Sequence, residues 1–168
     1  MISYDIELKT TITFFMISVL VPGLIVLLPA LITNQKLVKT ISYGTFAALL
    51  LAFLFFLLTI SKNRITKDSK EIYIKAAFYN IKIPNENVDD IFILKSEKLG
   101  SYAPNLRING IGLPSYKSGW FEDVEGRKSF LLLVDGYAEV TVLKLHDYQV
   151  LISGNLLDFL SSSNIGDE

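Results

Sequence analysis

The sequence has 168 residues, of which 51% are hydrophobic, with no cysteine and a formal net charge of −1. The absence of cysteine excludes disulfides and thiolate-bound zinc. From Ser61 onward, 13 basic residues stand against 15 acidic ones, a balance that gives no positive field for a nucleic-acid backbone. The hydrophobic excess is concentrated in residues 1–61, which predicts a membrane part followed by an ordinary folded domain.

Two uncharged apolar segments, residues 11–32 and 40–61, make up most of this first part. Each has 22 residues, and at about 1.5 Å per helical residue such a segment crosses a hydrocarbon core of roughly 30 Å. Eleven Leu, Ile or Phe residues stand between Phe46 and Ile60, and each of them favours membrane insertion. Because only residues 33–39 separate the segments, we predict a transmembrane helical hairpin with both chain ends on one side.

Two other interpretations of these segments fit less well. A cleaved secretory leader has an apolar region of about 7–15 residues and a small-residue cleavage site, whereas the first segment is longer and no small-x-small pattern follows Leu31. A buried soluble hairpin would need protein around two helices that are apolar on all sides, and a chain of 168 residues rarely supplies it.

Basic residues flank the hairpin unevenly, with five near its outer ends and two in the connecting loop. The five are Lys9, Lys62, Arg64, Lys67 and Lys70, and the two are Lys36 and Lys39. This excess predicts that both termini are cytoplasmic. We interpret residues 62–70 as a basic linker at the membrane surface, and residues 1–9 as a short polar lead in which Tyr4 lies at the interface.

Each predicted helix carries one feature of its own. Pro22-Gly23 lies near the middle of the first helix, where proline removes a backbone hydrogen bond, so a kink is expected. In the second helix Gly44, Ala48 and Ala52 recur at every fourth position and align small side chains on one face. That face is expected to pack against the first helix or against a second subunit.

From Glu71 onward the hydrophobic pattern changes to the alternation of strands. The predicted strands are residues 71–75, 79–83, 91–94, 130–134, 139–145 and 148–152. Asp135-Gly136 suits a tight hairpin turn between two of them, and Asn155 is a suitable cap for a short amphipathic helix over residues 156–160. We therefore predict a small antiparallel β domain over residues 71–160, closed at one end by a helix and followed by a tail, 161–168.

The middle of this domain contains the stretch Arg107 to Phe121, with an arginine, spaced glycines and an aromatic residue after the last glycine. Together with the preceding apolar helices and the strand, strand and helix that follow, it resembles the bacterial pleckstrin-homology-like domain family over about residues 66–160. The resemblance implies a seven-stranded pleckstrin-homology-like barrel after a transmembrane hairpin, and it implies no particular activity.

The motif has a structural and a functional interpretation. Glycine permits positive φ angles and close backbone approach, which favours a strained strand crossing with Trp120 and Phe121 in the core. A phosphate-binding loop is not favoured, because neither a P-loop nor a dinucleotide-binding spacing is present. Arg107 is the residue most suited to a carboxylate or phosphate partner. The candidate motif residues are Arg107, Gly110, Gly112, Tyr116, Gly119 and Trp120.

No catalytic, cofactor or metal site is predicted, so we expect the protein not to be an enzyme. His146 precedes Asp147 in a predicted turn, where neighbouring side chains diverge, and no nucleophile elbow is present. Glu122, Asp123 and Glu125 do not have the spacing of a calcium-binding loop, and we interpret them as part of a solvated hairpin connection.

Two functions remain open. The first is a non-enzymatic interaction module, held by the hairpin at the cytoplasmic face of a bacterial membrane, which binds a partner protein, its own copies or lipid. The second is an accessory or regulatory subunit of a membrane transport or enzyme complex, in which the helices make the essential contact. Specific phosphoinositide binding is not expected, because the turn at residues 76–78 has only Lys75 and Lys82 near it.

Overall fold

The computed structural model describes residues 1–4, 8–60 and 62–161. The chain forms two compact units, one consisting of Glu7–Ser61 and the other combining Met1–Ile6 with Lys62–Glu168. The first unit is helical and the second is a β domain. Of the predicted tail, residues 162–168 lie outside the described part of the chain.

The helical unit contains α1 (Leu8–Phe15), a π-helical segment (Met16–Leu20), α2 (Val21–Ile32) and α3 (Lys36–Ile60). Directly before Pro22, where a kink is expected, the helix contains the π-helical segment. Proline has no N–H to donate, and the wider turn lets the Val21 N–H reach the Met16 carbonyl, five residues back. The first apolar segment is therefore helical but not uniformly α-helical.

Small and aromatic residues pack the helices against each other. A Cβ atom on Gly23 would lie 2.6 Å from Phe46 Cε2, so a larger residue in α2 would have to displace the Phe46 ring of α3. The Phe14 ring lies 4.6 Å from the Phe56 ring between their centroids. The predicted packing residues Gly44, Ala48 and Ala52 are instead exposed, and a Cβ atom on Gly44 would meet no atom within 4 Å. The contact with the first helix thus uses Gly23 and not the small-residue face.

The two long helical spans, Thr11–Ile32 and Lys36–Thr59, are long and apolar enough to cross a membrane, with hydropathies of 2.6 and 2.3. In an 18-residue apolar stretch of each span, only 17% and 6% of the residues are buried in protein, so the helices do not form the core of a soluble domain. Three threonine hydroxyls in α3 donate to the carbonyl four residues earlier in the helix, as in the hydrogen bond from Thr45 Oγ1 to the Ile41 carbonyl at 2.9 Å.

The β domain begins with a four-stranded antiparallel sheet in the order β1, β2, β3, β4. Its strands are β1 (Ile2–Tyr4), β2 (Asn63–Lys67), β3 (Glu71–Ala76) and β4 (Tyr79–Pro84). Strands β3 and β4 were expected from the sequence. The polar lead (residues 1–9) and the basic linker (residues 62–70) were not predicted to form strands. The lead contains β1, and the linker contains β2. Tyr4 is 1% exposed and lies in the core of the domain, not at a membrane interface.

A six-stranded sheet follows, in the order β5, β9, β10, β8, β7, β6. Its strands are β5 (Val88–Lys95), β6 (Pro104–Leu113), β7 (Tyr116–Asp123), β8 (Lys128–Val134), β9 (Glu139–Leu145) and β10 (Gln149–Ser153). The predicted β8–β9 hairpin is wrong, because β10 lies between these strands and runs parallel to β8. All five residues of β10 are buried. This burial favours a central position in the sheet, where the strand has a neighbour on each side.

The predicted closed barrel is also wrong, because no hydrogen-bonded ladder joins the two sheets within the described strands. Side chains link them instead. Tyr4 Oη on β1 donates to the Ser153 carbonyl on β10 at 2.7 Å, and Tyr116 Oη on β7 donates to Asn63 Oδ1 on β2 at 2.7 Å. The domain is therefore two packed sheets joined by buried tyrosine hydroxyls.

The predicted C-terminal helix is present as α4 (Leu157–Ser161). Asn155 Oδ1 accepts a hydrogen bond from the Leu157 N–H at 3.3 Å, as expected of an N-cap residue. Leu156 and Leu160 are 5% and 4% exposed, and their burial holds the helix on the domain.

Candidate functional site

The motif from Arg107 to Phe121 forms the β6–β7 hairpin at one edge of the six-stranded sheet. Gly110 stands directly opposite Gly119 across the two strands. The register shifts twice along β6, between Pro104 and Leu106 and between Arg107 and Asn109. These irregularities bend the edge strand and separate the part near Arg107 from the regular part of the hairpin.

Gly110 and Gly119 are required because the backbones of β6 and β7 lie too close together for a side chain at either position. A Cβ atom on Gly110 would lie 2.6 Å from the Ser118 carbonyl oxygen. One on Gly119, whose φ is +100°, would lie 2.6 Å from the Asn109 carbonyl oxygen. Gly112 is different, since the atoms nearest to its Cβ position are 3.8 Å away. Two of the three motif glycines are therefore structural.

The two aromatic residues that follow Gly119 point to opposite faces of β7, as strand alternation predicts. Phe121 is 5% exposed and lies in a core cluster that includes Leu131 and Val142. Trp120 is half-buried, with its ring centroid 5.2 Å from that of Tyr148. Both side chains therefore pack against other residues of the β domain.

Tyr116, a candidate interaction residue, is 1% exposed. Burial raises the pKa of its phenol to about 12, and this effect outweighs the hydrogen bond to Asn63, which acts in the opposite direction. The hydroxyl links the two sheets, so Tyr116 is a core residue and cannot contact a partner in the folded domain.

Arg107 is the motif residue that the fold leaves exposed together with its neighbours. Residues 105–109 of β6, which we call the β6 ridge, are all exposed. Leu106 and Ile108 are 56% and 51% exposed, so a large aliphatic side chain lies at the surface on either side of Arg107. Arg107 makes no salt bridge in the part of the chain that the structure describes.

Sequence reasoning missed the buried carboxylate of Asp123 at the end of β7. Asp123 Oδ2 accepts hydrogen bonds from Arg127 Nε at 2.7 Å and Gln149 Nε2 at 2.8 Å, and Oδ1 accepts from the N–H groups of Glu125 and Arg127, both at 2.9 Å. Burial acts to raise the pKa of this carboxyl, but the hydrogen bonds led by those of Arg127 hold it below its usual value. The predicted solvated connection is therefore anchored by an ion pair between the buried Asp123 carboxylate and the partly exposed Arg127 guanidinium.

The Asp123 arrangement is structural in its chemistry. All four hydrogen bonds close the β7–β8 turn or tie it to β10, and they occupy the oxygens that a cation would need. Across residues 1–4, 8–60 and 62–161, no group of three or more His, Cys, Asp or Glu side chains is placed to hold a metal ion. His146 and Asp147 are both exposed in the turn between β9 and β10.

Comparison with known proteins adds one result to this geometry. The sequence model described as bacterial PH domain matches residues 63–162. The matched range begins at β2 and extends one residue beyond α4, so β1 and the helical unit precede it. No curated protein and no solved structure matches the chain.

Proposed function

We propose that this chain, which belongs to the bacterial PH domain family, is a membrane-anchored, non-enzymatic interaction module that binds a partner protein through the β6 ridge. Two helices able to span a membrane supply the anchor. The β domain supplies the binding surface on the cytoplasmic side. The partner is a different protein or a second copy of this chain.

The exposure of Arg107 between two exposed aliphatic residues carries this proposal. Protein interfaces combine apolar contact with arginine, which forms bidentate hydrogen bonds and stacks on planar groups. The two register shifts interrupt the regular edge of β6, so addition of a flat strand from another protein is disfavoured. Recognition is therefore expected to depend on the side chains of Leu106, Arg107 and Ile108.

Replacing Arg107 by Ala is expected to leave the stability of the domain within about 0.5 kcal/mol of the wild-type value, because the side chain is exposed and forms no salt bridge in the described part of the chain. Capture of the protein that co-purifies with the full chain from mild detergent should fall at least tenfold, as for an interface arginine worth about 1.4 kcal/mol or more. The measurements are a melting curve and a quantitative pull-down.

Two control variants make this experiment decisive. Lys144→Ala removes another exposed cation, on β9, and should change neither reading. Trp120→Ala removes a half-buried aromatic side chain and should destabilise the domain by roughly 3 kcal/mol. If Arg107→Ala melts as early as Trp120→Ala, Arg107 is a structural residue and the β6 ridge is not the binding surface.

The proposal includes a topology with both chain ends in the cytoplasm. The pairing of β1 with β2 supports it, since the residues just before and just after the helical unit belong to one sheet, and a sheet cannot be divided by a bilayer. The basic excess at the outer ends of the hairpin supports the cytoplasmic side.

Reporter fusions test this topology. A reporter inserted at Gln35, between α2 and α3, should report the extracytoplasmic side, and one fused after Glu168 should report the cytoplasm. A cytoplasmic signal from both positions would show that the helices do not cross, and an extracytoplasmic signal at Glu168 would reverse the orientation.

A further inference from the structure

The inner face of the six-stranded sheet, which packs on the four-stranded sheet, is not covered along its whole length. Every second residue of β7 lies on this face. Tyr116 and Ser118 are 1% and 0% exposed there, and the Tyr116 hydroxyl reaches Asn63 in the four-stranded sheet. Trp120, the next residue on the same face, is only half-buried. The margin of the covered region therefore lies at Trp120.

Tyr148 forms an aromatic pair with Trp120 at this margin. Their ring centroids are 5.2 Å apart, and the ring planes are inclined at 71° to each other. Trp120 makes a similar contact with Phe130, which is 0% exposed, at 5.2 Å and 75°. The buried Phe130 ring thus supports the pair from the core side, and the two outer rings stand nearly at right angles. We call Trp120 and Tyr148 the aromatic corner.

Both rings of the aromatic corner carry a hydrogen-bond donor. Neither the Trp120 Nε1–H nor the Tyr148 hydroxyl donates to another group within residues 1–4, 8–60 and 62–161. The indole N–H can only donate, and burial, with a smaller effect of Asp147, raises the pKa of the Tyr148 phenol, so its hydroxyl keeps its proton. Such groups usually find an acceptor when they are removed from water. Two unpartnered donors side by side suit a ligand that offers acceptors.

The surface around the aromatic corner adds apolar area and a further donor. Along β7, Trp120 is paired with Asn109 and Glu122 with Leu106, so the 56% exposed Leu106 side chain lies one row away from the corner. Lys128 Nζ lies 4.3 Å from the centroid of the Trp120 ring. Glu122, an acceptor in this region, is the direct cross-strand partner of Lys128 and so stands opposite a cation.

A polyproline II segment matches this combination of groups. Proline has no N–H, and the backbone of a polyproline II helix makes no internal hydrogen bonds, so the segment presents free carbonyl oxygens and apolar rings. An α-helix has already used its carbonyl oxygens in its own hydrogen bonds, and an added strand needs acceptors as well as donors along a regular edge. Aromatic-lined surfaces are the usual recognition sites for proline-rich segments.

We propose that the aromatic corner binds a proline-rich segment of a partner protein in the polyproline II conformation. Proline rings pack against Trp120 and Tyr148, and the indole N–H and the phenol hydroxyl donate to carbonyl oxygens of the segment. Leu106 of the β6 ridge extends the apolar contact. The inference rests on the proposed function and narrows it, because the five prolines of this chain stand singly in the sequence and a second copy would supply no such segment.

Binding of a labelled peptide to the full chain in mild detergent tests this inference. The probe is decaproline with a fluorescein label, followed by fluorescence anisotropy. We expect saturable binding, and a Gly-Ser peptide of equal length should bind at least tenfold more weakly because it has neither the preformed conformation nor the apolar rings. Equal binding of the two peptides, or no saturation by decaproline up to about 1 mM, would overturn the proposal.

Conservative variants locate the binding site. Trp120→Phe and Tyr148→Phe each keep a ring and remove one donor, so each should weaken decaproline binding about fivefold. Tyr137→Phe removes the hydroxyl of a 41% exposed tyrosine in the turn that follows β8, at the opposite end of that strand from Lys128, and should change nothing. A melting curve of each variant identifies any loss of binding that is due to unfolding. Unchanged binding in a folded Tyr148→Phe variant would refute the aromatic corner as the site.

The pull-down with Arg107→Ala separates this inference from the proposed function. If Arg107→Ala lowers capture of the co-purifying protein and decaproline does not bind, the β6 ridge stands and proline recognition alone is refuted. If capture is unchanged by Arg107→Ala while decaproline binds and Tyr148→Phe weakens it, the aromatic corner stands and the β6 ridge is refuted.

Discussion

Replacing Tyr4 by Ala is expected to lower the free energy of unfolding of the β domain by roughly 3–5 kcal/mol, as for other buried aromatic residues. Tyr4 is 1% exposed, although it lies outside the range that matches the family. Its ring centroid is 5.5 Å from that of Tyr137, and its hydroxyl donates to the Ser153 carbonyl at 2.7 Å. The loss would leave a cavity between the two sheets at the strand that precedes the helical unit.

Unfolding of the full chain in mild detergent, followed by the fluorescence of Trp120 in the β domain, measures this effect. Tyr4→Phe keeps the ring and removes the hydrogen bond, so it should cost only about 0.5–1.5 kcal/mol. Tyr137→Ala removes the neighbouring ring, which is 41% exposed, and should cost less than Tyr4→Ala. An unchanged unfolding midpoint for Tyr4→Ala would mean that β1 contributes nothing to the stability of the domain.

The burial of Tyr4 extends the β domain beyond the range indicated by the sequence. The family resemblance in the sequence covers residues 66–160, but that range omits β1 and the first three residues of β2. The first of those three residues, Asn63, accepts hydrogen bonds from Tyr116 and Ala77. The β domain therefore contains strands from both sides of the helical unit, and the helices lie in the sequence between two paired strands.

The parts of the fold that follow local rules were predictable. Apolar length identified the two long helices, and alternation identified β3, β4, β5, β8, β9 and β10. Pairing was not predictable, because it depends on contacts distant in sequence. Asp135-Gly136 is a valid turn signal and Gly136 has a φ of +92°, yet the turn connects strands that are not neighbours. The burial of β10 between β8 and β9 outweighs the local preference for a hairpin.

In the candidate site, too, features set by local geometry were predictable and those set by contacts distant in sequence were not. The glycine requirement and the division between Trp120 and Phe121 follow from backbone geometry and could be predicted. The burial of Tyr116 could not be predicted, because nothing near it in sequence indicates that Asn63 will meet its hydroxyl. Asp123 left a signal that could have been used, since an aspartate shortly before Gly126 and Arg127 is typical of a side chain that bonds its own turn.

Replacing Gly119 by Ala is expected to destabilise the domain by roughly 2–5 kcal/mol, the sum of two costs. A residue with a Cβ pays roughly 1–2 kcal/mol in the left-handed region, and overpacking against fixed backbone adds about 1–3 kcal/mol. Gly119 meets both conditions, since its φ is +100° and its Cβ position lies 2.8 Å from Gly110 Cα.

Gly112→Ala is the matched control on the same hairpin. Its Cβ would meet Arg107 Cδ and the Phe121 ring at 3.8 Å, an ordinary contact distance, so the change should stay within about 0.5 kcal/mol. Unfolding of both full-length variants in detergent, followed by Trp120 fluorescence and checked by the rate of limited proteolysis, measures the difference. Equal midpoints for the two alanine variants would mean that the hairpin relaxes around an added Cβ. The close approach of β6 and β7 would then not be the reason that position 119 requires glycine.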